Sequence, residues 1–434
     1  SMSIQTPPNL SPKTYPQLIQ AGINDWGGIS PVTPDYVNPE APWPSIEEVS
    51  KNTAKAGKRL IARLAIHPQY AVKAKKWVDK NLQKTILSKI DTDGFPREDN
   101  WIPGKIGQTP SICENSLSND PEILKILQRI KNGVLVSSRD IITLFGARGQ
   151  DVGLITKAAD DLRLTVCGDT VSYIVNRNIN YTNICKYKCY FCAFSKGKRN
   201  VKKTDKPYIL EMDEIGQRAA EAWSRGAKEV CMQGGIHPSF TGETYLRICE
   251  TVKKAAPDIH IHAFSPLEIY QGAETIGMSI SQFLSRLKDA GLGSLPGTSA
   301  EILNDEIRKK LCPDKLSSQQ WLEIIETAHG AGFHTTATIM FGHLETTADW
   351  AIHLIKIREL QIRTKGFTEF IPLPFVHMEA PIYLKGRARC GPTWRETLLM
   401  YSISRLTLHP YFKNIQASWI KMGRDGVIAC LNSG

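Results

Sequence analysis

A chain of 434 residues can bury a large core, and its length suggests two or three domains. No run of about 18 apolar residues occurs, so a membrane-spanning helix is excluded. The net charge of +11 gathers at Lys73–Lys76 and Lys196–Lys203, but neither cluster interleaves aromatic residues and no nucleic-acid motif follows, so both are read as solvated faces.

In chain order, the opening Ser-Met reads as a remnant of tag cleavage ahead of a start or internal Met. Residues 25–44 are rich in Pro and Trp. Ser45 follows as an N-cap with Glu48 three residues on, opening a helix toward Ala65. Residues 104–119, rich in Gly, Pro, Ser and Asn, read as a linker, and helices are expected over 122–131, 138–145 and 151–163. From about Tyr173 the pattern becomes strand, turn, helix. Strands are expected over 172–183, 229–233, 260–264, 292–295, 334–340 and 367–373, separated by helices. Six such units argue for a parallel sheet and an α/β fold, a partial or complete (β/α) barrel with an N-terminal helical and extended extension. Chemistry in such barrels sits at the C-terminal ends of the strands.

Three motifs fall there. Cys185, Cys189 and Cys192 form a CxxxCxxC triplet with Phe191 before the last cysteine. Three thiolates hold three irons of a four-iron cubane and leave the fourth open, an arrangement that suggests catalysis over electron carriage. A structural zinc site wants four closed ligands, and no second CxxC or HxxxH occurs. The other seven cysteines, Cys113, Cys167, Cys231, Cys249, Cys312, Cys390 and Cys430, are scattered. With no signal segment at the start, they read as thiols of a reducing, cytoplasmic compartment. Gly234 and Gly235 follow the second expected strand, where glycine lets backbone approach a ligand. The third motif is Pro296–Glu301, with Arg308 one helix later: Glu301 is a candidate for ligand hydroxyls and Arg308 for a carboxylate. His237, His260, His262, His334 and His377 lie at or near strands. His237, beside the Gly-Gly turn, is the candidate for proton transfer, with Glu268 and Glu369 as further candidate bases.

The CxxxCxxC spacing resembles the signature of radical S-adenosylmethionine (SAM) enzymes. That resemblance implies a [4Fe-4S] cluster on Cys185, Cys189 and Cys192, SAM on the open iron, and Phe191, Gly234 and Gly235 beside SAM. Residues 180–197 and 230–238 resemble more specifically the CofH-type subunit of deazaflavin (FO) synthase, over about residues 120–434. This resemblance implies transfer of the 4-hydroxybenzyl group of L-tyrosine to 5-amino-6-(D-ribitylamino)uracil. It begins with hydrogen abstraction from tyrosine by a deoxyadenosyl radical. Residues 25–44 resemble the C-terminal tail of the CofG-type subunit, as in fused enzymes.

The implied organisation is a CofG-like tail and linker (1–118), N-terminal helices (119–171), a barrel core (172–375) and a C-terminal extension (376–434). The implied partners are the two substrates and a CofG-type ring-closing half, with the reductant protein unidentified and neither nucleic acid nor membrane expected. A radical SAM enzyme of the futalosine menaquinone pathway is the alternative. A different class is a non-catalytic iron–sulfur or zinc protein using its basic surface on RNA. The CofG-like segment can also serve only for docking or stabilisation.

Overall fold

The computed structural model describes residues 2–105, 107–110, 120–196 and 206–434, divided into two compact units, Ser1–Ile66 and His67–Gly434. Most of the expected linker over 104–119, with Cys113, lies outside the described residues, as does most of the basic cluster from Lys196 to Lys203.

In the first unit, Tyr15, Trp26 and Val49 form a buried core. Trp26 Nε1 donates to Thr53 Oγ1 at 3.1 Å. Ser45 caps the helix Ile46–Lys55, its hydroxyl accepting the Glu48 N–H at 3.1 Å. The helix stops at Lys55, short of Ala65, because the chain turns through Gly57 at φ 71°. The Asp25 carboxylate opens the Pro-rich stretch and accepts from Arg63 Nε at 2.5 Å and Nη2 at 3.1 Å.

The second unit carries a seven-stranded parallel sheet whose strands lie side by side in chain order. They are β1 (Asn176–Ile179), β2 (Glu229–Met232), β3 (His260–Ala263), β4 (Ser294–Leu295), β5 (His334–Phe341), β6 (Phe367–Pro374) and β7 (Asn414–Ile415). Among the described residues β1 and β7 share no ladder, so the barrel is partial. The seventh strand was not expected from the sequence: two residues are too few to show a period of two.

Alternation along the strands separates two surfaces. Val230, Met232, Ile261, Ala263 and Leu295 join helix residues such as Ala219, Leu246 and Phe283 in one apolar core. Ala337, Ile339, Phe341 and Phe370 pack with Trp350 and Leu354 in a second. The alternate residues, among them Glu229, Cys231, His260, His262 and Ser294, face the barrel lumen.

The helix Trp394–Leu408 is buried along its whole length. It has no polar stripe, so periodicity does not mark it as a surface helix. Its charges are matched inside the protein: Arg395 meets Asp91 at 3.1 Å, Glu396 meets Arg389 at 3.2 Å, and Arg405 Nε donates to the Gly434 carbonyl at 2.8 Å.

Candidate active site

The chain leaves β1 at Ile179 and enters the cysteine loop at the C-terminal edge of the sheet. Backbone bonds from several directions hold this loop. Lys186 N donates to Ile236 O at 2.9 Å, Tyr190 N to Leu311 O at 2.9 Å, and Ile382 N to Tyr190 O at 2.8 Å. Asn180 Nδ2 donates to Gln233 O at 2.9 Å. Cys185, Cys189 and Cys192 are all free and half-buried. Cys185 Sγ accepts the Ile236 N–H at 3.3 Å, and Cys192 Sγ accepts the Ser195 N–H at 3.4 Å. Such N–H···S bonds tune thiolate clusters. Burial, partly offset by Lys315, pushes the free Cys189 thiol up to about 12. A bound iron replaces that proton outright. Three half-buried thiols on one loop, two already accepting backbone N–H groups, fit a cluster held at three corners.

The Gly-Gly turn is required by close packing against this loop. A Cβ on Gly234 would enter the Tyr181 ring, and one on Gly235 would strike the Ile184 carbonyl and Cys185. Gly235 N donates to Thr182 O at 2.9 Å.

Glu268 lies underneath, fully buried in the first turn of the helix Pro266–Thr275. Its carboxylate accepts from the Tyr181 hydroxyl, from Gly234 N at 3.3 Å, and from Ser265 N and Oγ at 2.7 and 2.5 Å. Burial raises its pKa, against the opposing effect of these hydrogen bonds. Four donors occupy the carboxylate of this expected base, tying it to Tyr181, the Gly-Gly turn and the start of its own helix. Tyr181 is the partner that sequence reading missed, since a lone tyrosine two residues after a strand carries no signal of its own.

Glu301 sits at φ 43° and binds Lys315 Nζ at 2.6 Å. Burial works against the charge of Lys315, yet the Glu301 carboxylate holds it protonated above its usual range. The same ammonium lies 5.2 Å from the centre of the Phe191 ring, so Phe191, Glu301 and Lys315 form one group beside Cys189.

Arg308 is not a free clamp. It is buried, and its guanidinium donates to the carbonyls of Leu316, Ser299 and Ala300, bracing the turn that carries Glu301. His237 is half-buried beside the Gly-Gly turn, with Nδ1 accepting the Ser239 N–H at 3.1 Å. Glu369 lies on β6, half-buried, and burial raises its pKa. It stands at the start of its strand, away from the cysteine loop. His334 opens β5, and His377 stacks edge-on against Tyr383 at 4.3 Å.

Comparison with known proteins agrees with this geometry. The Radical SAM superfamily model matches residues 179–356, and the CofH/MqnC C-terminal region model matches 364–434. The chain is 39% identical to an FO synthase of Streptomyces coelicolor, over 100% of this chain and 55% of that protein. An FO synthase of Mycobacterium leprae matches at 39% over the same shares. The chain therefore spans about half the length of these relatives. It is 46% identical to the 5-amino-6-(D-ribitylamino)uracil--L-tyrosine 4-hydroxyphenyl transferase of Methanocaldococcus jannaschii, over 69% of this chain and 83% of that one. Among solved structures, methylornithine synthase (PylB) superposes with a TM-score of 0.55 at 19% identity, covering 71% of this chain and 83% of that chain. The hydrogenase maturase HydG of Carboxydothermus hydrogenoformans reaches 0.52 at 16%, covering 72% and 69%. These two support the fold alone. Barrel, cysteine loop and full-length similarity together show that the chain belongs to the radical SAM superfamily and, within it, to the CofH-type line of the FO synthase family.

Proposed function

We propose that this chain transfers the 4-hydroxybenzyl group of L-tyrosine to 5-amino-6-(D-ribitylamino)uracil. The products are 5-amino-5-(4-hydroxybenzyl)-6-(D-ribitylimino)-5,6-dihydrouracil, 2-iminoacetate, methionine and 5′-deoxyadenosine. The supporting observation is the likeness to the archaeal transferase across most of that protein's length, with the cysteine loop packed on the Gly-Gly turn.

Cys185, Cys189 and Cys192 would hold the [4Fe-4S] cluster, which with SAM supplies one-electron bond cleavage. The protein's own residues bind, orient and shield. Gly234 and Gly235 give SAM a backbone approach without a Cβ, and Phe191 flanks it. One Glu301 oxygen is held by Lys315, and the other is offered to ribose hydroxyls. His237, anchored through Nδ1, keeps Nε2 for proton transfer. The barrel lumen above the strand ends holds the two polar substrates and replaces their hydration.

The proposed partner is a CofG-type ring-closing half or subunit that consumes the adduct. The organisation proposed for the CofH-like part is helices 119–171, barrel 172–375 and extension 376–434. No helix among the described residues is long and apolar enough to cross a membrane, and the described cysteines are all free. A reducing, cytoplasmic compartment is proposed on the thiols.

The test is anaerobic incubation of the reconstituted, reduced protein with SAM, tyrosine and the ribitylaminouracil, read by mass spectrometry. The hydroxybenzyl adduct without deazaflavin is expected. Deoxyadenosine that forms without either substrate-derived product would overturn the substrate assignment and direct attention to futalosine-type substrates.

A further inference from the structure

At the opposite end of the barrel from the cysteine loop, β2 and β3 begin side by side. Glu229 and His260 are in-register partners, and His262 lies two residues on, on the same face as His260. Val230, Ile261 and Ala263 are in the apolar core, so the three polar residues project into the lumen. One donor atom from each, two imidazole nitrogens and a carboxylate oxygen, lie within 4.8 Å of one another. They are the one such group among the described residues.

The two rings are fixed in place. Ser294 Oγ, from β4, lies 2.7 Å from His260 Nε2 and 2.7 Å from His262 Nδ1. With Ser294 Oγ accepting an N–H from each ring, the other nitrogen of each imidazole keeps its lone pair and the ring its orientation, as with the outer partners of metal-bound histidines. Gly293 makes the room: a Cβ there would run into the His260 ring. Lys253, whose charge acts on His260, is tied back to the carbonyls of Pro257 and Ile259 at 3.0 and 2.7 Å.

We propose that Glu229, His260 and His262 form a binding site for a divalent transition metal of the zinc or ferrous class, separate from the cysteine loop. Two imidazoles and one carboxylate on one face are a donor set that both ions use, and imidazole discriminates against magnesium and calcium. The site is half-buried, which leaves room for water to complete the shell.

Glu229 opens β2 and Gly234 lies five steps along the chain, beyond the strand's end at Met232, a span of up to about 16 Å at about 3.3 Å per residue. The ion therefore does not join the cluster chemistry. It ties β2 to β3 on the lumen floor, where β3 meets β4 through a single register pair, His262 and Ser294. Binding to the folded state alone stabilises it by mass action.

The full chain carrying Cys185→Ala, Cys189→Ala and Cys192→Ala removes the competing thiols. Cobalt(II) is titrated as a coloured probe, and zinc is measured by competition. One cobalt per chain with visible ligand-field absorption is expected, and zinc is expected to raise Tm. His262→Ala and Glu229→Gln, each checked for native circular dichroism, are expected to weaken binding about tenfold or more. Ser294→Ala is expected to weaken it less. Substoichiometric cobalt binding, or binding that His260→Ala, His262→Ala and Glu229→Gln all leave unchanged, would overturn the site and leave a polar lumen floor only.

Discussion

The Tyr181 hydroxyl donates to the Glu268 carboxylate inside the barrel wall, joining the entrance of the cysteine loop to the helix that follows β3. Both residues are buried, and Gly234 closes the arrangement by donating its N–H to the same carboxylate at 3.3 Å. Loop, glycine turn and helix are thus positioned through one side chain.

Glu268→Gln keeps the shape but turns an amide N–H₂ toward groups that themselves donate. A loss of about 2–3 kcal/mol in urea unfolding is expected, with Tyr181→Phe losing about 1 kcal/mol. Iron retained after reconstitution should fall in both, in the same order. Full iron loading with abolished turnover in Glu268→Gln would instead identify the carboxylate as a base.

Gly235→Ala places a methyl group on the Ile184 carbonyl and Cys185, so the loop must shift to accept it. Iron and sulfide per chain should drop well below the wild-type content, whereas Gly28→Ala, with open space around it, should leave them intact. Single alanine replacement of Cys185, Cys189 or Cys192 should abolish the cluster's electron paramagnetic resonance signal. Cys249→Ala, in the apolar core, should keep it.

Lys315 and Glu301 are 11% and 12% exposed and form one ion pair. Lys315→Met leaves the Glu301 carboxylate without its cation in a desolvated place, at a cost of about 3–5 kcal/mol. The double variant Lys315→Met with Glu301→Leu should recover much of that stability. SAM binding should remain weak in it, because the carboxylate proposed for the ribose hydroxyls is gone. Recovered stability together with wild-type SAM affinity would remove Glu301 from the proposed SAM site.

Acid should destabilise the fold through histidines buried in neutral form. Burial lowers His353 to about 3, and His329 and His377 to about 4, from 6.5. His353 Nδ1 already accepts the Leu303 N–H at 3.1 Å. Between pH 6.5 and these values the unfolded chain binds more protons, so stability falls as pH falls through that window. His353 alone should account for about 2–3 kcal/mol by pH 4.5. Chemical denaturation across pH 4.5–7.5 measures it, and His353→Gln should flatten the slope.

The sequence by itself determined what depends on local pattern. The cysteine spacing, the glycine turn, the Ser45 cap and the strand–helix alternation are set by neighbours within a few residues. The position of the radical SAM loop at the strand ends followed from them. Only the tertiary structure decided how distant residues divide the work. Glu268 and Arg308 have the chemistry of a base and a clamp, but folding surrounds one with donors and the other with backbone carbonyls. Neither β7 nor the helix Trp394–Leu408 carries a period to read: the strand has only two residues, and packing on all sides of the helix erases the contrast between its faces. His260 and His262 shared a face by simple alternation, yet Glu229, some thirty positions earlier, joined them only when β2 and β3 paired in register. A strand ladder brings together residues that no spacing rule connects, and that is the physical reason such sites wait for the fold.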